Sequence, residues 1–239
     1  MSITLATASQ SDRRAKCGRV AEADGMNEWV SFAQVLRTLQ TSSVRKHYSR
    51  NEAIYLEGDA PEFVYKVLSG TVRLCRHTED GRRHIADFVL EGDVFGVGDL
   101  TAHAFTAEAV SDVTLVAYPK GHLDRLIGDD INARNLLMEQ LAADIAAARH
   151  HHFVLGCHNA KERVACFILR MARRLDVTAG HRVDLPMSRQ DIADHLGLTI
   201  ETVCRAISAL KADGTLAVPN IHQLILRNIN ALNALSLAA

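Results

Sequence analysis

No apolar run in the 239 residues approaches the ~18 needed to cross a bilayer. The opening MSITLATASQSDRRAKC has no apolar core followed by a small-residue cleavage site. These absences lead us to expect a cytoplasmic chain with no membrane partner. Cysteine is scarce and odd in number: Cys17, Cys75, Cys157, Cys166 and Cys204 fall at irregular spacings that do not make a disulfide framework. Their open uses are redox sensing, metal binding or catalysis. No Walker loop, nucleophile motif or metal-catalysis pattern occurs, so no enzymatic activity is expected. The net charge of −1 gives no overall attraction to a polyanion.

What the chain does have is 48% hydrophobic residues, enough for a buried core and, at this length, for two modest domains. Charge is unevenly divided. From Lys161 onward ten Lys/Arg face seven Asp/Glu, whereas the preceding part carries 17 and 21. The C-terminal third is therefore the part suited to approach a phosphate backbone.

Residues 1–27 show no apolar periodicity and read as a flexible tail. Trp29, Phe32, Val35, Leu36 and Leu39 then recur at helical spacing over 28–40. From about His47 to Pro119, short β-branched runs alternate with glycine turns, and Asp80-Gly81 is a hairpin signal, which predicts a β-roll or small barrel. Beyond Pro119 the period becomes helical. Leu137, Leu141, Ile145, Ala148, His152 and Leu155 make a stripe at steps of three and four, which we expect either to pair with a copy of itself or to lie on its own β-roll.

The stretch MSRQDIADHLGLTIETVCRAISALKADGTLAVPNIHQLILRN is the most informative. Ser188 and Asp191 make a capping-box-like start, Ile192, Ala193 and Leu196 form an apolar face, and Gly197 ends the helix. Thr199 caps a second helix with Val203, Ala206, Ile207 and Leu210 at i, i+3, i+4 and i+7, ended by Gly214. Two short helices joined by a glycine turn make a helix-turn-helix, and the LAV/LILR pair after it reads as a hairpin wing. In such a unit the second helix enters the major groove. Its outward positions are Glu201, Thr202, Cys204, Arg205 and Ser208. Arg can pair with guanine O6/N7 and Glu can accept from cytosine N4, while a solvated Glu201/Arg205 ion pair is the plainer reading.

This segment resembles the helix-turn-helix of the CRP/FNR regulators, and Glu201-x-x-Cys204-Arg205 is similar to the E-x-x-S-R signature of their FNR/FixK branch. GDAPEFVYKVLSGTVRL, EDGRRHIADFVLEGDVFG and NAKERVACFIL extend the resemblance over roughly residues 45–230. It implies an α+β chain: a flexible tail (1–27), a cyclic-nucleotide-binding-domain-like β-roll (28–130), a dimerisation helix (131–156) and a winged helix-turn-helix domain (157–239). It also implies a homodimer that binds a TTGA…TCAA-type palindrome in double-stranded DNA. Such a regulator, an activator of oxygen-limited or nitrogen-oxide metabolism, would work with RNA polymerase. Glu201, Cys204 and Arg205 would read bases. Ser188, Arg189, Thr199, Thr202, Ser208 and Lys211 would contact or support the backbone, and Leu137, Leu141, Ile145, Ala148 and His152 would pair the protomers.

The chain departs from the family pattern at several points. Cys204 stands where Ser is usual, which weakens a hydrogen bond. On the first turns of the recognition helix and beside Arg205, it is also the cysteine expected to be redox-sensitive, more oxidisable than a buried one such as Cys166. An iron–sulfur cluster of the FNR kind needs three clustered tail cysteines and one in the roll, whereas the tail holds only Cys17 and the roll position is Val116. The cyclic-AMP motifs Gly-Glu-Leu and Arg-Ser/Thr-Ala are replaced by Gly98-Asp99-Leu100 and Phe105-Thr106-Ala107, which leaves no Arg for the phosphate. His150, His151 and His152, near Cys157 and His158, point about 100° apart on a helix and do not converge on one ion. No cofactor or metal is therefore expected. The alternative is a sensor that needs a cyclic nucleotide or haem before binding DNA.

Overall fold

Short strands between glycine turns build an eight-stranded roll in front of a helical half. The computed structural model describes residues 32–36, 43–175 and 182–237. Expectations for the tail, for Cys17, and for Trp29 and Leu39 of the first helix lie outside these residues. Helix α1 (Phe32–Val35) precedes β1 (Val44–Tyr48), β2 (Ala53–Tyr55), β3 (Phe63–Ser69), β4 (Val72–His77), β5 (Arg83–Val89), β6 (Val94–Phe95), β7 (Thr106–Ala109) and β8 (Val113–Pro119). They form two antiparallel sheets in the orders β1-β8-β3-β6 and β2-β7-β4-β5. The roll core lies between them, with Val67, Val72, Leu115 and Ala117 wholly buried. The Asp80-Gly81 turn joins β4 to β5, with Gly81 at φ 81°, a conformation that costs glycine little.

The helical half consists of α2 (Lys120–Asp129), α3 (Ile131–Cys157), α4 (Ala160–Arg174), β9 (Arg182–Asp184), α5 (Arg189–Leu196), α6 (Ile200–Ala212), β10 (Leu216–Asn220), β11 (Gln223–Leu226) and α7 (Ile229–Ser236). Side chains from outside start five of these helices. Asp130 caps α3, Asn159 with Glu162 closes a capping box on α4, Ser188 with Asp191 does so on α5, Thr199 caps α6 and Asn228 caps α7. The wing is the three-stranded sheet β10-β11-β9.

Twenty-seven residues make α3 roughly 40 Å long at 1.5 Å per residue. Its first turns rest on the roll, and here one expectation needs correction. Leu137 retains only 8% of its exposure, packed with Phe32, Leu36, Val64, Tyr118 and Leu123, and Leu141 leans on the same cluster. Leu137 is therefore spent within its own chain and is not free to meet a second copy. Further along, Met138, Ile145 and Phe153 are exposed at 61%, 52% and 48%, and Ala148 and His152 face solvent beside them.

Candidate nucleic-acid interface

Helix α5 ends at Gly197, whose φ of 61° turns the chain, and Thr199 starts α6 two residues later. Val203, Ala206, Ile207 and Leu210 are buried, which fixes the rotation of α6 about its axis. Burial of a large aliphatic side chain contributes about 1.5–3 kcal/mol, so that rotation is strongly held. Glu201, Cys204, Arg205, Ser208 and Lys211 consequently lie exposed on the opposite face, and Thr202 is half-buried between the two. The outward set read from the sequence shares one face of one helix.

The supporting hydroxyls are already in use. Ser188 Oγ donates to Asp191 Oδ2 at 2.7 Å and accepts from the Asp191 backbone N–H at 3.1 Å. Thr199 Oγ1 accepts from the Thr202 N–H at 3.3 Å and lies 3.1 Å from the Thr202 hydroxyl. The Glu201 carboxyl is held below the usual carboxylate range by its own backbone N–H, then by the Thr199 hydroxyl, with Arg205 adding attraction. As a carboxylate it offers only acceptors on this face. Arg189 is half-buried near Cys204, and burial lowers its pKa. Its Nη1 is one of two buried side-chain atoms without a hydrogen-bond partner among the described residues.

The unit is anchored to the roll by charges that the sequence reading did not find. Asp191 is 3% exposed, yet Oδ1 accepts from Arg73 Nη1 at 3.2 Å and from Arg83 Nη2 at 2.6 Å. Arg83 Nε also donates to Asp194 at 2.8 Å, and Arg73 Nε to Glu108 at 2.8 Å. Beside this network, His195 Nδ1 donates to the Ile85 carbonyl at 3.0 Å, and its ring stacks on His151 with centroids 4.2 Å apart. Burial, then His151, pushes the His195 imidazole down to about 3. Arg163 Nη2 and Nε donate to the carbonyls of Leu155 and His158, and Nη1 to that of Leu196, joining the end of α3 to the end of α5. The pairs are 33 to 118 residues apart along the chain for all but the α3 contacts, so no local sequence pattern marks them.

A cleft between the roll and α3, about 530 Å³ in volume, is lined by Phe88, Phe95, Asp93, Asp144, Arg170 and Arg174 among others. Its arginines are committed: Arg170 pairs with Asp87 at 2.7 Å, and Arg174 pairs with Asp93. A bound phosphate would have to displace these carboxylates. No described helix is long and apolar enough to cross a membrane.

Known proteins fit this architecture. Residues 45–130 match the cyclic nucleotide-binding domain and residues 162–235 the Crp-like helix-turn-helix domain. The nitrogen fixation regulation protein FixK of Azorhizobium caulinodans is 40% identical over 228 residues, 94% of this chain and 90% of that protein. The transcriptional activatory protein AadR of Rhodopseudomonas palustris is 33% identical over 84% of this chain and 81% of its own. The solved structure of FixK2 from Bradyrhizobium japonicum shares 40% identity at a TM-score of 0.79, covering 82% of this chain and 98% of that one. The roll, the capped helix pair and the wing, together with these likenesses, show that the chain belongs to the Crp/FNR family of DNA-binding transcription regulators, in its FixK-like branch.

Proposed function

We propose that the chain acts as a homodimer at a TTGA…TCAA-type palindrome, with Arg205 and Glu201 reading base edges from α6, and that it activates transcription through RNA polymerase. The observation that carries this reading is the rotation of α6: four buried apolar residues turn Glu201, Cys204 and Arg205 outward together from a capped N-terminus. Ser188 and Thr199 support by holding the two helix starts, and Thr202 by closing the second. Arg189, Ser208 and Lys211 supply the phosphate side. Ile145, Ala148 and His152, with Met138 and Phe153 on the same helix, form the pairing surface. Relatives named as activators and the committed arginines of the cleft do not favour a regulator that waits for a cyclic nucleotide.

The test compares Arg205→Ala with Lys211→Ala on operator and random DNA. Arg205→Ala is expected to cost about 1–3 kcal/mol per half-site and to relax preference at one guanine, whereas Lys211→Ala weakens all sequences alike. Equal losses on both DNAs for both variants would remove Arg205 from base reading.

A further inference from the structure

A second constellation lies on the roll, away from α6. Cys75 and His77 are two residues apart on β4 and share a face of the sheet, and Glu108 on β7 is paired opposite Arg73, diagonal to Cys75. The sulfur of Cys75, a ring nitrogen of His77 and a carboxylate oxygen of Glu108 all lie within 4.8 Å of one another. Cys75 is fully buried, Glu108 half-buried and His77 exposed. The group thus has a dry inner wall and one side open to water.

From this geometry we infer that Cys75, His77 and Glu108 form a binding site for a zinc-like divalent ion, with water in the fourth position. Thiolate, imidazole and carboxylate together suit a borderline-soft ion, and three protein ligands with one open position is a known zinc arrangement. A tetrahedral ion with ligand bonds of about 2.0–2.3 Å holds its ligand atoms roughly 3.3–3.8 Å apart, inside the 4.8 Å within which these three atoms lie. The charges balance. The thiol proton leaves to solvent as the Cys75–metal bond forms, and thiolate and carboxylate then neutralise the two positive charges of the ion. Glu108 exchanges its pairing with Arg73 for the metal, and Arg73 keeps Asp191 and Asn51 as partners. The site is distinct from the His150–His158 cluster and from the tail cysteines weighed in the sequence, and it stands independently of the assignment of DNA-reading residues.

The experiment uses tag-free full-length protein, freed of metal by a chelator and titrated with cobalt(II) and then zinc(II). Wild type is expected to develop a thiolate-to-cobalt charge-transfer band that saturates at a single equivalent per chain and is displaced by zinc. Cys75→Ser abolishes the band. His77→Gln, at an exposed position that leaves the fold intact, weakens cobalt affinity at least about tenfold, the low end of what even outer-sphere changes cost at metal sites. Either of two results overturns the site: no thiolate band in wild type, or a band that persists in Cys75→Ser and in His77→Gln with unchanged affinity while disappearing in Cys204→Ser.

Discussion

Replacing Asp191 with Ala removes a single carboxylate and disturbs two things at once. The α5 capping box loses its returning partner, and Arg73 and Arg83 lose the acceptor that holds them to the helix-turn-helix. Removing one member of a buried ion pair costs about 3–5 kcal/mol when the survivor is left alone. Here Arg73 keeps Glu108 and Arg83 keeps Asp194, so the low end applies and we expect a loss of about 3 kcal/mol. For a chain of this size that is roughly a 6–12 °C fall in Tm. Denaturant unfolding of Asp191→Ala, Arg73→Met and the double variant closes a cycle. Its coupling is expected at about 1–3 kcal/mol, because the two side chains touch. A fall below about 1 kcal/mol in Asp191→Ala, or a coupling near zero, would refute the idea that this carboxylate holds the DNA-reading unit to the roll.

His195 is kept neutral in the fold, while its unfolded form titrates near pH 6.5. The unfolded state therefore binds the extra proton between about pH 6.5 and 3, and stability should fall by about 1 kcal/mol per pH unit on acidification through that window. Asp87, Arg170 and His151 face the same ring, so His195→Gln should flatten the slope specifically; an unchanged slope in urea titrations would contradict the assignment. Ile145→Asp places a carboxylate on the exposed pairing surface and should weaken self-association by about 2 kcal/mol or more, seen as monomer in sedimentation velocity along with lost operator affinity. Unchanged sedimentation would remove this surface. Peroxide should reduce operator binding of wild type at least about tenfold while sparing Cys204→Ser, since an oxidised sulfur adds negative charge facing phosphates. Equal loss in both proteins would leave Cys204 without a redox role.

The helix-turn-helix was legible because its determinants are local. Ser188, Gly197 and Thr199 announce helix ends within a few residues, and the Val203–Leu210 period sets one face. The roll was legible for the same reason, through turns such as Asp80-Gly81. Leu137 was misassigned because a stripe at steps of three and four shows that a side is apolar without naming what covers it; the turns of α3 around Leu137 meet the roll, whereas Ile145 and Phe153 farther along stay exposed. Asp191 read as a cap and nothing more, since its cations lie 118 and 108 residues away. Cys75 and His77 read as strand residues, and only the register against β7 brings Glu108 to them.

The contact that Asp191 makes is the charged edge of something larger. Cys75, Ile85, Phe88 and Val110 of the roll belong to one apolar cluster with Phe167, Ile192, Leu196 and Leu210 of the helical half, and Phe88 meets Phe167 edge-on at 6.1 Å. A chain that folds around a shared interior has no seam at which it can be cut cleanly. The DNA-reading half, expressed alone, would expose the wall that Phe88 and Ile85 now cover. An exchange of recognition helices between relatives should therefore succeed where an exchange of entire C-terminal halves brings a mismatched interior with it.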